Sequence, residues 1–98
     1  MKLESAVFGA RVVYDLEDPD GDVHHAHGHI VGLDGTAALV RFDKQRRYLR
    51  GADTIAPWQR EKLAPGLDLA ACEGRLKWIS IRNLKRITKI EQKKVDVD

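Results

Sequence analysis

The sequence predicts a mainly β domain: a small barrel of about five antiparallel strands, with a short helical excursion before the last strands. Three observations carry that expectation. Residues 28–42 hold two apolar, β-prone runs, 29–33 and 37–42, flanking Asp34-Gly35-Thr36. Asp-Gly between such runs is a strong hairpin signal, because a tight turn needs a residue at positive φ and glycine supplies one without a steric penalty. Residues 9–16 alternate, with Ala10, Val12, Tyr14 and Leu16 on one side of an extended chain and Arg11, Val13 and Asp15 on the other. Finally, 98 residues that are 43% hydrophobic and 33% charged suit one soluble domain with a single modest core.

Taken in order, the first strand ends at Glu17-Asp18-Pro19-Asp20-Gly21-Asp22, where proline and glycine supply the dihedrals of a turn. A second strand is expected over residues 23–33 and a third over 36–42. The chain then bends through Asp43–Gly51, with a further strand starting near Arg47. From Ala52 to Gly74 periodicity fails. Pro57 is suited to open one helical turn through Trp58–Leu63, Pro65-Gly66 ends it, and a second turn covers residues 67–72. Residues 52–74 are thus an irregular excursion within a single domain of residues 1–98. Leu76–Ile81 resumes alternation, with Ile79 and Ile81 inward and Trp78 and Ser80 opposite. Arg82-Asn83-Leu84 reads as a 3₁₀ turn and residues 85–90 as a last strand, with a helix over 83–94 as the alternative. The polar tail 92–98 is expected to fray.

Four stretches, Gly9-Ala10-Arg11-Val12-Val13, Gly28-His29-Ile30-Val31-Gly32, Leu39-Val40-Arg41-Phe42 and Trp78–Ile87, together resemble the small SH3-like barrels of the Tudor-like and KOW-like families. The resemblance implies a glycine opening the first strand, a Gly-x-Ile/Val run in the second, and a short turn with an inward leucine before the closing strand. Plasmid-type dihydrofolate reductases share that outline. Their Val-Gln-Ile-Tyr run is replaced here by Trp78-Ile79-Ser80-Ile81, so their activity is not carried over.

Charge is unevenly spread. Residues 1–43 carry three basic and eight acidic side chains, a net of −5, whereas residues 44–98 carry fourteen basic and seven acidic, a net of +7. The single cysteine, Cys72, excludes an internal disulfide. A charge interrupts the apolar residues at the N-terminus, so no secretory leader is expected, and no apolar run is long enough to span a bilayer. The expectation is a cytoplasmic protein of bacterial or phage type without membrane association.

His24, His25, His27 and His29 form the most conspicuous cluster. On a strand the last three project from one face at steps of roughly 6–7 Å, a spacing at which two imidazoles can share a metal. No third element visibly supplies ligands, so a solvated outer face is the favoured reading and no metal or other cofactor is expected. Asp18-Pro19-Asp20-Gly21-Asp22 lacks the glycine and glutamate positions of a calcium loop. Neither a nucleophile signature around Cys72 nor a phosphate-cradling glycine loop is present, and an enzyme is not expected.

Basic residues interleaved with aromatics are the functional lead. Arg46, Arg47 and Arg50 surround Tyr48, while Lys77, Arg82, Lys85 and Arg86 surround Trp78. Such side chains neutralise phosphates, and an exposed ring stacks on an unpaired base. The expected function is a non-catalytic module binding nucleic acid, DNA or RNA, through these nine residues. Two alternatives stand beside it. Trp58 and Trp78 could pack beneath the excursion, leaving the cations as ordinary surface, and the protein could instead be an adaptor for a protein partner, or an accessory regulator of a phage or mobile element.

Overall fold

β1 (Arg11–Glu17), β2 (Val23–Asp34), β3 (Ala37–Phe42), β4 (Leu76–Ser80) and β5 (Lys85–Arg86) form one antiparallel sheet in the order β4-β3-β2-β1-β5. This is a computed structural model, and it describes residues 1–87. The protein is mainly β, its helical content among the described residues being short 3₁₀ turns. The sheet stays open, with β4 and β5 as its two edges, joined in sequence by a 3₁₀ turn over Ile81–Asn83. No helix among the described residues is long and apolar enough to cross a membrane.

The hairpin predicted at residues 28–42 is the centre of this sheet. Gly35 takes φ +59 at the β2–β3 turn, the left-handed region glycine occupies at little cost. Along β1, Val12 and Leu16 are buried and Tyr14 packs beside them, as the alternation requires. They join Ala26, Ile30, Ala38, Val40, Phe42, Ile79, Ile81 and Leu84 in the inner core. Burying each large member of that set contributes about 1.5–3 kcal/mol.

A second cluster covers the opposite face of the sheet: Val31, Leu39, Cys72 and Leu76, with Ile55, Leu63, Leu67, Leu69 and Trp78 packed against them. A bulge makes it possible. The β2–β3 register shifts between Ile30 and Gly32, so Val31 has no partner across the ladder and both Val31 and Gly32 turn outward. Gly32 must lack a side chain. A Cβ there would stand 2.9 Å from Leu39 Cβ and 3.2 Å from Leu63 Cδ2.

Residues 52–74 lie over this face in three 3₁₀ turns: Ala52–Thr54, Pro57–Lys62 and Leu69–Cys72. Pro57 sits at the start of the second, as its missing N–H allows. The excursion is tied down by polar bonds. Ala64 N–H donates to Val31 C=O (2.7 Å), and Gln59 Nε2 donates to Asp34 Oδ2 (3.0 Å).

The strand expected near Arg47 does not form. Arg47 and Tyr48 lie in a turn, and only Arg50 meets β4, as an isolated bridge to Leu76. Three cations and a glycine within residues 46–51 supply too little apolar alternation to bury a strand. The 3₁₀ turn expected at residues 82–84 forms over Ile81–Asn83, and the last strand holds at Lys85–Arg86 rather than a helix. The continuation of that strand to Ile90, the helical alternative to Lys94 and the tail 92–98 fall outside the described residues.

Candidate functional site

Seven of the nine basic and aromatic residues singled out in the sequence line two recesses. Tyr48, Arg50, Lys77 and Trp78 meet in a cleft of about 460 Å³. Arg82, Lys85 and Arg86 line a separate groove of about 660 Å³. Arg46 and Arg47 line neither.

The cleft joins segments separated in sequence by the whole excursion. The Arg50–Leu76 bridge does this: Leu76 N–H donates to Arg50 C=O at 2.8 Å, and Arg50 N–H returns to Leu76 C=O at 3.4 Å. Immediately before the bridge stand Tyr48 and Leu49, and immediately after it Lys77 and Trp78. Both rings are half-buried. Tyr48 packs against the inner core, and its hydroxyl accepts a hydrogen bond from Arg46 Nη1 (3.2 Å). Arg46 is itself half-buried, and its Nε has no hydrogen-bond partner among the described residues. Trp78 belongs to the outer cluster, and its indole N–H donates to Thr54 C=O (3.2 Å). Ile79 and Ile81 face the inner core, so the expected opposition of Trp78 to these two residues is what the structure has.

Charge in the cleft is partly internal. Arg50 Nη1 donates to Asp53 Oδ2 (3.1 Å), and that bond holds the Asp53 carboxyl below its usual range. The pair is well exposed, so it adds little to stability. Lys77 and Arg47 are exposed and belong to no ion pair among the described residues. Arg82, Lys85 and Arg86 are exposed and belong to no ion pair among the described residues; Arg86 Nη1 donates to the Ser5 carbonyl, at 3.4 Å. Neither Thr54 nor Asp53 was singled out by sequence reasoning for the cleft. For the groove it passed over Tyr14 and His25. Their roles depend on which segments become neighbours, and local pattern does not report that.

Trp58 does not pack beneath the excursion. It is 66% exposed on the Pro57–Lys62 turn, and Leu63 lies over Gly32.

Two of the four histidines pair with carboxylates. His25 Nδ1 lies 2.6 Å from Asp15 Oδ1, and His24 Nε2 lies 2.9 Å from Asp18 Oδ2. The bond from His24 holds the Asp18 carboxyl below its usual range, helped by Asp22 and Asp20, whose N–H groups both donate to Asp18 Oδ1 at 2.9 Å. His29 is pushed down by burial and by the neighbouring Arg41 and Arg11. Arg11 donates from Nη1 to Asp43 Oδ1 (2.8 Å) and so lowers the Asp43 carboxyl. Among the described residues, no three histidine, cysteine or carboxylate side chains converge as metal ligands.

Comparison with protein-family models, with curated proteins and with solved structures finds no match.

Proposed function

We propose that the protein is a non-catalytic module that binds single-stranded nucleic acid at the cleft formed by Tyr48, Arg50, Lys77 and Trp78. One observation carries the reading: two sequence segments, each pairing an aromatic with arginine or lysine, meet in one recess. Aromatic faces beside cations suit an unpaired base with its phosphate, since stacking contributes about 1–3 kcal/mol per base and tolerates any sequence. Duplex nucleic acid keeps its bases stacked on one another and has less use for such a cleft. Arg47 and the groove cations Arg82, Lys85 and Arg86 enter this reading as flanking phosphate contacts. The sheet order, with a 3₁₀ turn between β4 and β5, fits an open variant of the SH3-like barrel that the sequence resembles.

The test is a fluorescence anisotropy titration of a short labelled oligothymidylate across a range of salt concentrations. Binding should weaken as salt rises. Replacing Arg82, Lys85 and Arg86 together by alanine should flatten the slope of log K against log salt by about 2, three contacts at roughly 0.7 each. Binding that ignores salt, or that survives Lys77→Glu unchanged, would contradict the proposal.

A second reading, an adaptor for a protein partner, is favoured by Trp58. A tryptophan 66% exposed on a surface turn is an unspent anchor of the kind that dominates protein interfaces. Trp58→Ala should leave oligonucleotide binding intact if the two surfaces are independent.

A further inference from the structure

The β1–β2 hairpin extends past its neighbours on both sides. β5 pairs with β1 only at Val12 and Val13. β3 follows β2 no further than Gly28, with one more bond from Asp43 N–H to His27 C=O. The hairpin itself continues through Tyr14–Glu17, paired with Val23–Ala26.

The direction of the backbone groups follows from two bonds. Arg11 C=O accepts from Ile87 N–H, so the backbone groups of Arg11 face the β5 side of β1. Residues two apart in a strand face the same way, which directs those of Val13, Asp15 and Glu17 to that side too. His27 agrees independently. Its C=O turns away from β1 to meet Asp43, so its partner Val13 turns away from β2. The N–H and C=O of Asp15 and Glu17 therefore lie along an edge that no strand covers among the described residues, and both residues are exposed. An uncovered edge of this kind is a template for another strand.

Beside this edge lies the groove of about 660 Å³, and its charges are sorted along it. Toward β5 stand Arg82, Lys85 and Arg86, none of them in an ion pair among the described residues. Toward the hairpin tip the carboxylates of Asp15, hydrogen-bonded to His25, and of Glu17 occupy the outer side of β1, while Leu16, buried at 2%, faces the core.

Only one strand direction satisfies both ends. β5 is antiparallel to β1, with Lys85 opposite Val13 and Arg86 opposite Val12. A strand laid in the same sense on Glu17 and Asp15 runs toward Lys85 and ends there. We propose that this edge takes the carboxyl terminus of a partner polypeptide as an antiparallel strand. Its terminal carboxylate lies against Arg82, Lys85 and Arg86. Basic side chains sit across from Glu17 and Asp15 and an apolar one opposite Leu16; the place opposite Tyr14 belongs to Leu84, which precedes Lys85 in extended conformation and stops the incoming strand. The partner's end therefore reads basic–apolar–basic. Main-chain bonds supply the affinity and the terminal charge sets the register. The site lies apart from the oligonucleotide cleft and shares with that reading only the three groove cations.

The probe is acetyl-Thr-Lys-Val-Lys with a free carboxylate, titrated into the ¹⁵N-labelled protein. Saturable shifts at the Asp15 and Glu17 amides, with slowed hydrogen exchange there, are expected. The same peptide with a C-terminal amide should bind about tenfold more weakly or less, since a charge-assisted bond is lost. N-methylation of both lysines, whose N–H groups face β1, should abolish binding. Methylation of the valine, whose N–H faces away, should leave it. Equal binding of acid and amide, indifference to lysine N-methylation, or no saturable shift would each overturn the proposal. Arg82→Ala with Lys85→Ala should erase the difference between acid and amide, and both positions are exposed, so the fold is not at stake.

Discussion

The two faces of the sheet are covered in different ways, and the contrast shows where binding can sit. On the inner face the strands bury one another: Val12, Ile30, Val40 and Phe42 are fully buried, and all come from the three central strands. The outer face depends on a non-repetitive excursion of whose contributions only Cys72 is fully buried, Ile55, Leu63, Leu67 and Leu69 being partly so. The inner face is closed by regular pairing and leaves nothing over. The outer one is closed piecemeal, and a cleft survives where the excursion begins, between Tyr48, Thr54 and Trp78. A half-buried ring at such a boundary serves packing and remains reachable.

The contrast can be broken at its strongest point first. Phe42→Ala empties a fully buried position on the inner face and should cost about 3–5 kcal/mol in urea denaturation, with the whole domain losing stability together. Gly32→Ala attacks the outer face, where its Cβ would press on Leu39 and Leu63. About 1–3 kcal/mol is expected, seen as faster hydrogen exchange in residues 52–74 before the central strands are affected. If both substitutions opened the same amides to the same extent, the two faces would be one cooperative unit and the contrast would fail. Trp78→Phe removes only the indole bond to Thr54 and should cost about 0.5–1.5 kcal/mol, loosening the Ala52–Thr54 turn.

Acid should act most weakly, and on the inner strands' outlying hairpin. The Asp18 carboxyl is lowered by His24, so its folded pKa lies below its unfolded one. Its stabilisation is then complete above the ordinary carboxylate range near pH 4 and is lost as pH falls through the folded value. Asp18→Asn should flatten that acid limb of the melting temperature. His29 has the same sign by a different cause: burial and two arginines disfavour its proton, so stability is full above about pH 6.5 and declines below it. His29→Gln should reduce the drop between neutral pH and about pH 5. Melting curves of each variant against the parent check both.

Much of the inner face was legible in the sequence. Alternation at Ala10–Leu16 and Asp34-Gly35 between two apolar runs specify side and turn locally, and the strands follow. The outer face was not legible. No periodicity in residues 52–74 announces that Leu63 will sit on Gly32, and the bulge at Val31 that turns two successive residues outward leaves no local mark. A strand was expected to start near Arg47, yet only the single Arg50–Leu76 bridge forms. The candidate site was half legible. Residue types identified the cations and rings, but their division between a cleft and a groove is decided by β4 and β5 lying at opposite edges of the sheet. Trp58 and Trp78 look alike in sequence, and only the packing of Leu63 and the bond to Thr54 separates the exposed ring from the half-buried one.

The central claim, that the cleft is where a single strand binds, is tested most directly by amide and indole ¹⁵N spectra during titration with a short oligothymidylate. The account predicts that the Trp78 indole signal and the Tyr48, Arg50 and Lys77 amides shift together at low salt and return as salt is raised. Shifts confined to Trp58, or a Trp78 indole that stays fixed while the protein binds the strand, would contradict it.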